Sequence, residues 1–172
     1  NFKNILFLDV FAIGINFVIR AISGIFLINT PISPWIVLGV FFVALFLGFS
    51  KRKSEIITLS DKSSNHRKVL KKYTKKMLDI SVLVSGISIL IIFTTYSLLG
   101  PFEDGKLALT IPFIAIIILR QLYLLKINHK LIQKNEFYKD KITVLCVILY
   151  SILTLILLYT DIIVIWLLKK LK

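Results

Sequence analysis

Ala44-Leu45-Phe46-Leu47-Gly48-Phe49-Ser50-Lys51-Arg52-Lys53-Ser54-Glu55 joins an uncharged apolar run to three cations and a carboxylate. Such a junction marks where a helix leaves hydrocarbon for the polar interface. Similar junctions recur along the chain. Of 172 residues, 57% are hydrophobic, and the mean hydropathy is +0.87. A soluble domain has roughly 45–50% apolar residues. The excess sits in long runs, so the sequence predicts an all-α, polytopic transmembrane helix bundle in a lipid bilayer.

The formal net charge is +13, and its cations are clustered. Ten of the 22 Lys and Arg lie between Lys51 and Lys76, and five more between Lys126 and Lys141. A basic chain can bind nucleic acid. Here the basic blocks separate apolar runs, and the positive-inside rule accounts for them without a nucleic-acid partner. Cys146, the single cysteine, lies in an apolar run and reads as a packing residue. No disulfide can form within the chain. The sequence begins with Asn1 and enters a span almost at once, with no signal-peptide pattern. We therefore expect the C-terminal part of a longer protein.

Five spans are predicted. The first runs from about Ile5 to Ile28 and carries Asp9, Asn16 and Arg20, spaced seven and then four apart on one helical face that Gly24 continues. Charge at membrane depth normally faces a bundle interior or an aqueous cavity, unless Asp9 sits at one interface and Arg20 snorkels to the other. The second span, Trp35 to about Phe49, is short for a full crossing, so bilayer thinning or snorkelling of Lys51 is expected to compensate. Lys51–Leu59 can extend that helix one or two turns into water. Residues 50–76 form the first basic loop, whose end from His66 to Lys76 has Val69, Leu70 and Tyr73 at amphipathic spacing. Met77 to Leu99 is the third span, with Asp79 in its first turn and small Ser81, Ser85, Gly86 and Ser88 for close packing. The fourth, Leu107 to Leu125, contains Pro112 as a kink candidate and Arg120 in its final third. Residues 126–141 are the second basic loop, and Ile142 to about Leu168 is the fifth span. With five spans both basic loops fall on one side, which places the N-terminus in the cytoplasm and the C-terminus outside.

Lys51 and Glu55 share a helical face, with Arg52 beside them. Arg offers phosphate a planar fork and Lys a point charge. Glu55 can orient Lys51 or hold a divalent ion; equally, the cluster can simply anchor a helix end. Asp79 reads as an ion ligand or a helix-dipole partner, and His66 as a base or as polar surface. Tyr73 is an interfacial anchor or a phosphate donor. The sequence has no His/Cys/carboxylate cluster at metal spacing and no Gly-rich phosphate loop.

These residues carry a resemblance. Leu8-Asp9-Val10 with Gly14, Phe17-Val18-Ile19-Arg20-Ala21 and Gly24 is its first piece. Ile32-Ser33-Pro34-Trp35 is its second, and Leu45-Phe46-Leu47-Gly48 with Lys51-Arg52-Lys53-Ser54-Glu55 its third. Together they resemble the UbiA superfamily of membrane transferases, in the branch similar to decaprenyl-phosphate phosphoribosyltransferase. The likeness continues through His66-Arg67, Tyr73, Leu78-Asp79 and Arg120. Lys51 and Arg52 fit the basic positions of the branch's Lys-Arg-x-x-Glu element and Glu55 its acid, or Arg52 and Lys53 shift the register by one.

The resemblance implies a nine-helix bundle whose last five helices are residues 1–172, in a plasma membrane with a cytoplasm-facing cavity. It implies transfer of a 5-phosphoribosyl group from phosphoribosyl pyrophosphate to a polyprenyl phosphate lipid, assisted by Mg²⁺. Lys51 and Glu55 are then catalytic, and Asn16, Arg20, Arg52, His66, Arg67, Tyr73, Asp79 and Arg120 bind substrate. The family's Asp-rich Mg²⁺ and pyrophosphate motif is missing from this sequence. The chain alone is thus expected to hold half an active site and to be inactive. Two other readings remain: a UbiA prenyltransferase using a prenyl pyrophosphate donor, and a non-enzymatic membrane module.

Overall fold

The computed structural model describes residues 7–59, 74–100, 105–127 and 140–170. Among these there are five α-helices and no strands. They are α1 (Leu8–Leu27), α2 (Pro34–Leu59), α3 (Lys75–Leu99), α4 (Ile111–Ile127) and α5 (Lys141–Lys170). A 3₁₀ segment, Lys106–Thr110, leads into α4. Four stretches are long and apolar enough to cross a membrane: α1, most of α2, α3, and the 3₁₀ segment with α4. The chain is therefore an α-helical membrane bundle. α5 is 30 residues long, with an apolar described part from Lys141 to Leu157.

α2 is the central element. It packs against α1 on one side and α3 on the other, α3 packs on α4, and α5 packs on α4 and the 3₁₀ segment. The buried core follows this order, with Val10 from α1, Leu45, Phe46 and Phe49 from α2, Leu78 and Val82 from α3, and Ile118, Leu124 and Leu125 from α4. Glycine permits the tightest approaches. A Cβ on Gly48 would lie 2.6 Å from Val10 Cγ1, and one on Gly86 3.1 Å from Ile118 Cγ2 and 3.3 Å from Phe46 Cε2. Phe46, Gly86 and Ile118 thus share a level, and the helices alternate in direction.

Most hydroxyls along α3 are satisfied by their own helix, while Ser97 Oγ is buried without a partner among the described residues. Ser81, Ser85, Ser88 and Thr95 each donate to the carbonyl four residues back, at 2.7–2.9 Å. Such back-bonding lets small polar residues sit in hydrocarbon. Ser85 and Gly86 are buried, as close packing of α3 requires.

Two expectations about the spans are revised, and the extension of α2 is borne out. α2 has 26 residues, of which the uncharged part from Pro34 to Ser50 is about 25 Å long at ~1.5 Å per residue. As expected, the helix continues through Lys51 to Leu59, about two and a half turns. α3 starts at Lys75 under a Thr74 cap, whose Oγ1 accepts from the Met77 N–H at 3.2 Å. Asp79 therefore lies beyond the first turn. Pro112 does more than kink the fourth span. It lacks an N–H and its ring crowds the carbonyl four residues back, so regular α-helix begins at Ile111 and a 3₁₀ segment precedes it.

Gly48→Val forces the stiff Val10 side chain and the α1–α2 contact apart. We expect destabilisation of about 1–3 kcal/mol, read as a lower unfolding temperature in detergent. Gly39→Ala, where a Cβ meets nothing within 4 Å, should leave that temperature unchanged or raised.

Candidate functional site

Helix alternation brings the start of α1, the end of α2 and the start of α3 to one end of the bundle. Arg52 is the centre of that end and is buried, with 9% of its surface exposed. Its Nε donates to Asp9 Oδ2 at 2.9 Å, and its Nη1 to Glu55 Oε2 at 2.7 Å. One bond crosses between helices; the other spans less than a turn of α2. Nη2 is the edge that no carboxylate takes among the described residues. Beside it, Lys53 Nζ lies 2.6 Å from Asp79 Oδ1 and ties α2 to α3. Lys51 is exposed at the same end. Two cations are thus held by three carboxylates from three helices, with a third cation on the rim.

An apolar crevice of about 410 Å³ opens beside this group, between α1, α2 and α3. Phe7, Phe11, Phe41, Phe42 and Phe49 line it. Phe7 precedes α1 with φ at 68°, a conformation few non-glycine residues adopt. Its ring meets Phe49 edge-on at a centroid distance of 5.5 Å, which fixes the rim of the crevice next to Asp9.

A second charged network joins α4 to α5. Arg120 Nη2 donates to Asp140 Oδ1 at 2.8 Å and its Nε to Oδ2 at 3.1 Å, a bidentate pair. Asp140 also caps α5, accepting from the Thr143 N–H at 3.2 Å and the Thr143 hydroxyl at 2.5 Å. Gln121 Nε2 lies 3.4 Å from Thr143 Oγ1, and the Arg120 guanidinium carbon lies 5.4 Å from the Tyr123 ring centroid. The Arg120 guanidinium, aided by the Thr143 donors and opposed by burial, holds the Asp140 carboxyl down at about 2.

The residues singled out in the sequence separate accordingly. Arg52, Glu55 and Asp79 converge, and Lys51 lies beside them. Glu55 reaches Arg52, three residues back, rather than Lys51. Arg120 belongs to the α4–α5 corner and faces a carboxylate. Asn16 and Arg20 lie exposed on α1, Arg20 about 16 Å along the axis from Asp9 at ~1.5 Å per residue. His66, Arg67 and Tyr73 lie outside the described residues. Asp9 was grouped with Asn16 and Arg20 in the sequence, yet its partner is on α2. Asp140 was hidden in a basic loop. Its Asp-x-x-Thr spacing ahead of an apolar run is a helix-start signature that could have exposed it.

Among the described residues no three of His, Cys, Asp or Glu converge to hold a metal ion. Asp9 and Glu55 are turned to the same guanidinium, so Mg²⁺ is not assigned to these side chains. No known family's sequence model matches the chain, and no curated protein is similar to it.

The lowered Asp140 pKa sets a pH dependence. Its stabilising contribution is complete above the ordinary value of 3.8 and is lost as pH falls through about 2. A carboxyl-carbon NMR titration in micelles should place the Asp140 midpoint near 2. Arg120→Leu should return it toward the ordinary ~3.9.

Proposed function

We propose that the charged end of this bundle is a phosphate-binding half-site of an integral-membrane transferase, which moves a 5-phosphoribosyl group from phosphoribosyl pyrophosphate to a polyprenyl phosphate. One observation carries the reading: a buried, carboxylate-oriented Arg52 with Lys51 and Lys53 beside it, directly above a phenylalanine-lined crevice. Cations over an apolar cleft suit an amphiphile with an anionic head and a long hydrocarbon tail. The resemblance to the phosphoribosyltransferase branch supplies the donor.

In this reading a phosphate oxygen of the lipid bonds to C1 of the ribose while the C1–O bond to pyrophosphate breaks. Negative charge grows on the leaving pyrophosphate. Fixed Lys and Arg donors at that position lower the barrier because they need no reorganisation. Asp9 and Glu55 fix the guanidinium plane, so Nη2 and Lys51 are the donors presented to phosphate. A prenyl pyrophosphate donor would also satisfy cations above an apolar cleft. Lys51 and Glu55 standing where prenyltransferases carry aspartates favour the phosphoribosyl donor.

The test uses the full-length protein in membranes, with phosphoribosyl pyrophosphate and prenyl pyrophosphate differently labelled. Ribosyl label should enter the lipid extract with an equal release of pyrophosphate. Lys51→Ala and Arg52→Lys should each slow turnover about tenfold or more, the loss of roughly 1.4 kcal/mol of transition-state stabilisation. Prenyl label in the product, or ribosyl transfer indifferent to both substitutions, would overturn the assignment.

A further inference from the structure

Asn16 and Arg20 are exposed farther along the stripe of α1 that starts at Asp9, whose carboxylate reaches Arg52 of α2. The adjoining face, with Val10 and Gly14, packs on Gly48, Phe41 and Leu45 of α2. At ~1.5 Å per residue Arg20 lies about 10 Å inside the Leu27 end of the helix, and Asn16 about 16 Å inside it. Asn16 is also about 12 Å from Leu8 by the same spacing, so its short side chain reaches neither interface. Exposed Ile13 and Leu27, each seven residues from Arg20, make this surface otherwise apolar, with half-exposed Phe17 at its edge. A cation and an amide in the middle of such a face are costly against lipid.

Among the four long apolar spans, α1 is the least enclosed. Only 11% of its apolar window is buried, against 28% for each of the other three long spans. Around Gly24, one turn beyond Arg20, a Cβ would meet nothing within 4 Å. The neighbouring Ser23 hydroxyl is satisfied by the Ile19 carbonyl at 2.8 Å. Small residues there allow another helix to come close.

We propose that this face of α1 docks a transmembrane helix carrying an aspartate or glutamate level with Arg20. Charge selects this occupant over a second copy of the chain. Two copies share one orientation in a bilayer, and a symmetric α1–α1 contact would set Arg20 against Arg20 at low dielectric. A lipid headgroup would serve Arg20 by snorkelling but would leave Asn16 in hydrocarbon. A carboxylate-bearing helix satisfies both, because Asn16 can bond to the same carboxylate or to a polar group a turn away.

The test replaces Phe17 with a photoreactive benzoylphenylalanine in the full-length protein in its native membrane. The cross-linked peptide is sequenced by mass spectrometry. We expect one transmembrane peptide with an Asp or Glu within a helical turn of the cross-link. Arg20→Glu should cut the yield about tenfold, and an acid→Arg change in the captured peptide should restore it in that background. That rescue also shows the variant is folded. Lipid adducts alone, a peptide from α1 of a second copy, a captured segment without an acid, or a yield indifferent to Arg20→Glu would each overturn the proposal.

Discussion

The guanidinium of Arg52 is the constraint on which the charged end of this bundle depends. It is buried at the end of a membrane helix, where an isolated charge is expensive. Asp9 and Glu55 offset that cost by accepting two of its hydrogen bonds. Because Asp9 belongs to α1, the compensation is also a tether. It fixes the angular setting of α1 on α2, and the Val10–Gly48 contact fixes the spacing. Removing Arg52 would cost Asp9 its bond to α2 and Glu55 its local partner. Removing Asp9 would leave Arg52 with a single local partner.

The same logic recurs at the other joints. Lys53 and Asp79 join α2 to α3, and Arg120 and Asp140 join α4 to α5. The interiors of the spans hold by shape and back-bonded hydroxyls, and the charged end holds by directed ion pairs. Apolar packing of helices in lipid has little hydrophobic driving force, so directional contacts at the ends carry a larger share of the specificity. This arrangement also leaves cations oriented above an apolar crevice, where an anionic amphiphile can be recognised.

Much of the bundle was legible in the sequence. Uncharged runs bounded by Lys and Arg mark the helices, and the junction at Phe49–Lys51 marks where α2 meets its charged end. Ser85-Gly86 was readable as a close-packing point for the same reason: only small side chains admit Ile118 and Phe46 that closely. The pairing of charges was not legible. Asp9, Asn16 and Arg20 lie on one face at helical spacing, but periodicity describes a helix's own sides and not its neighbour. The partner of Asp9 stands 43 residues away on another helix. Glu55 lies within a turn of both Lys51 and Arg52, and only the burial of Arg52 decides between them. Asp140 was obscured by the lysines around it, although its capping pattern with Thr143 was present.

The most direct measurement is a double-mutant cycle between Asp9 and Arg52, using Asp9→Asn and Arg52→Gln and reversible unfolding of the protein in bicelles. If the ion pair tethers α1 to α2, the two substitutions should be coupled by about 1 kcal/mol or more, and the coupling should persist at high salt because the pair is sheltered. Additive effects, with no coupling between Asp9 and Arg52, would contradict it.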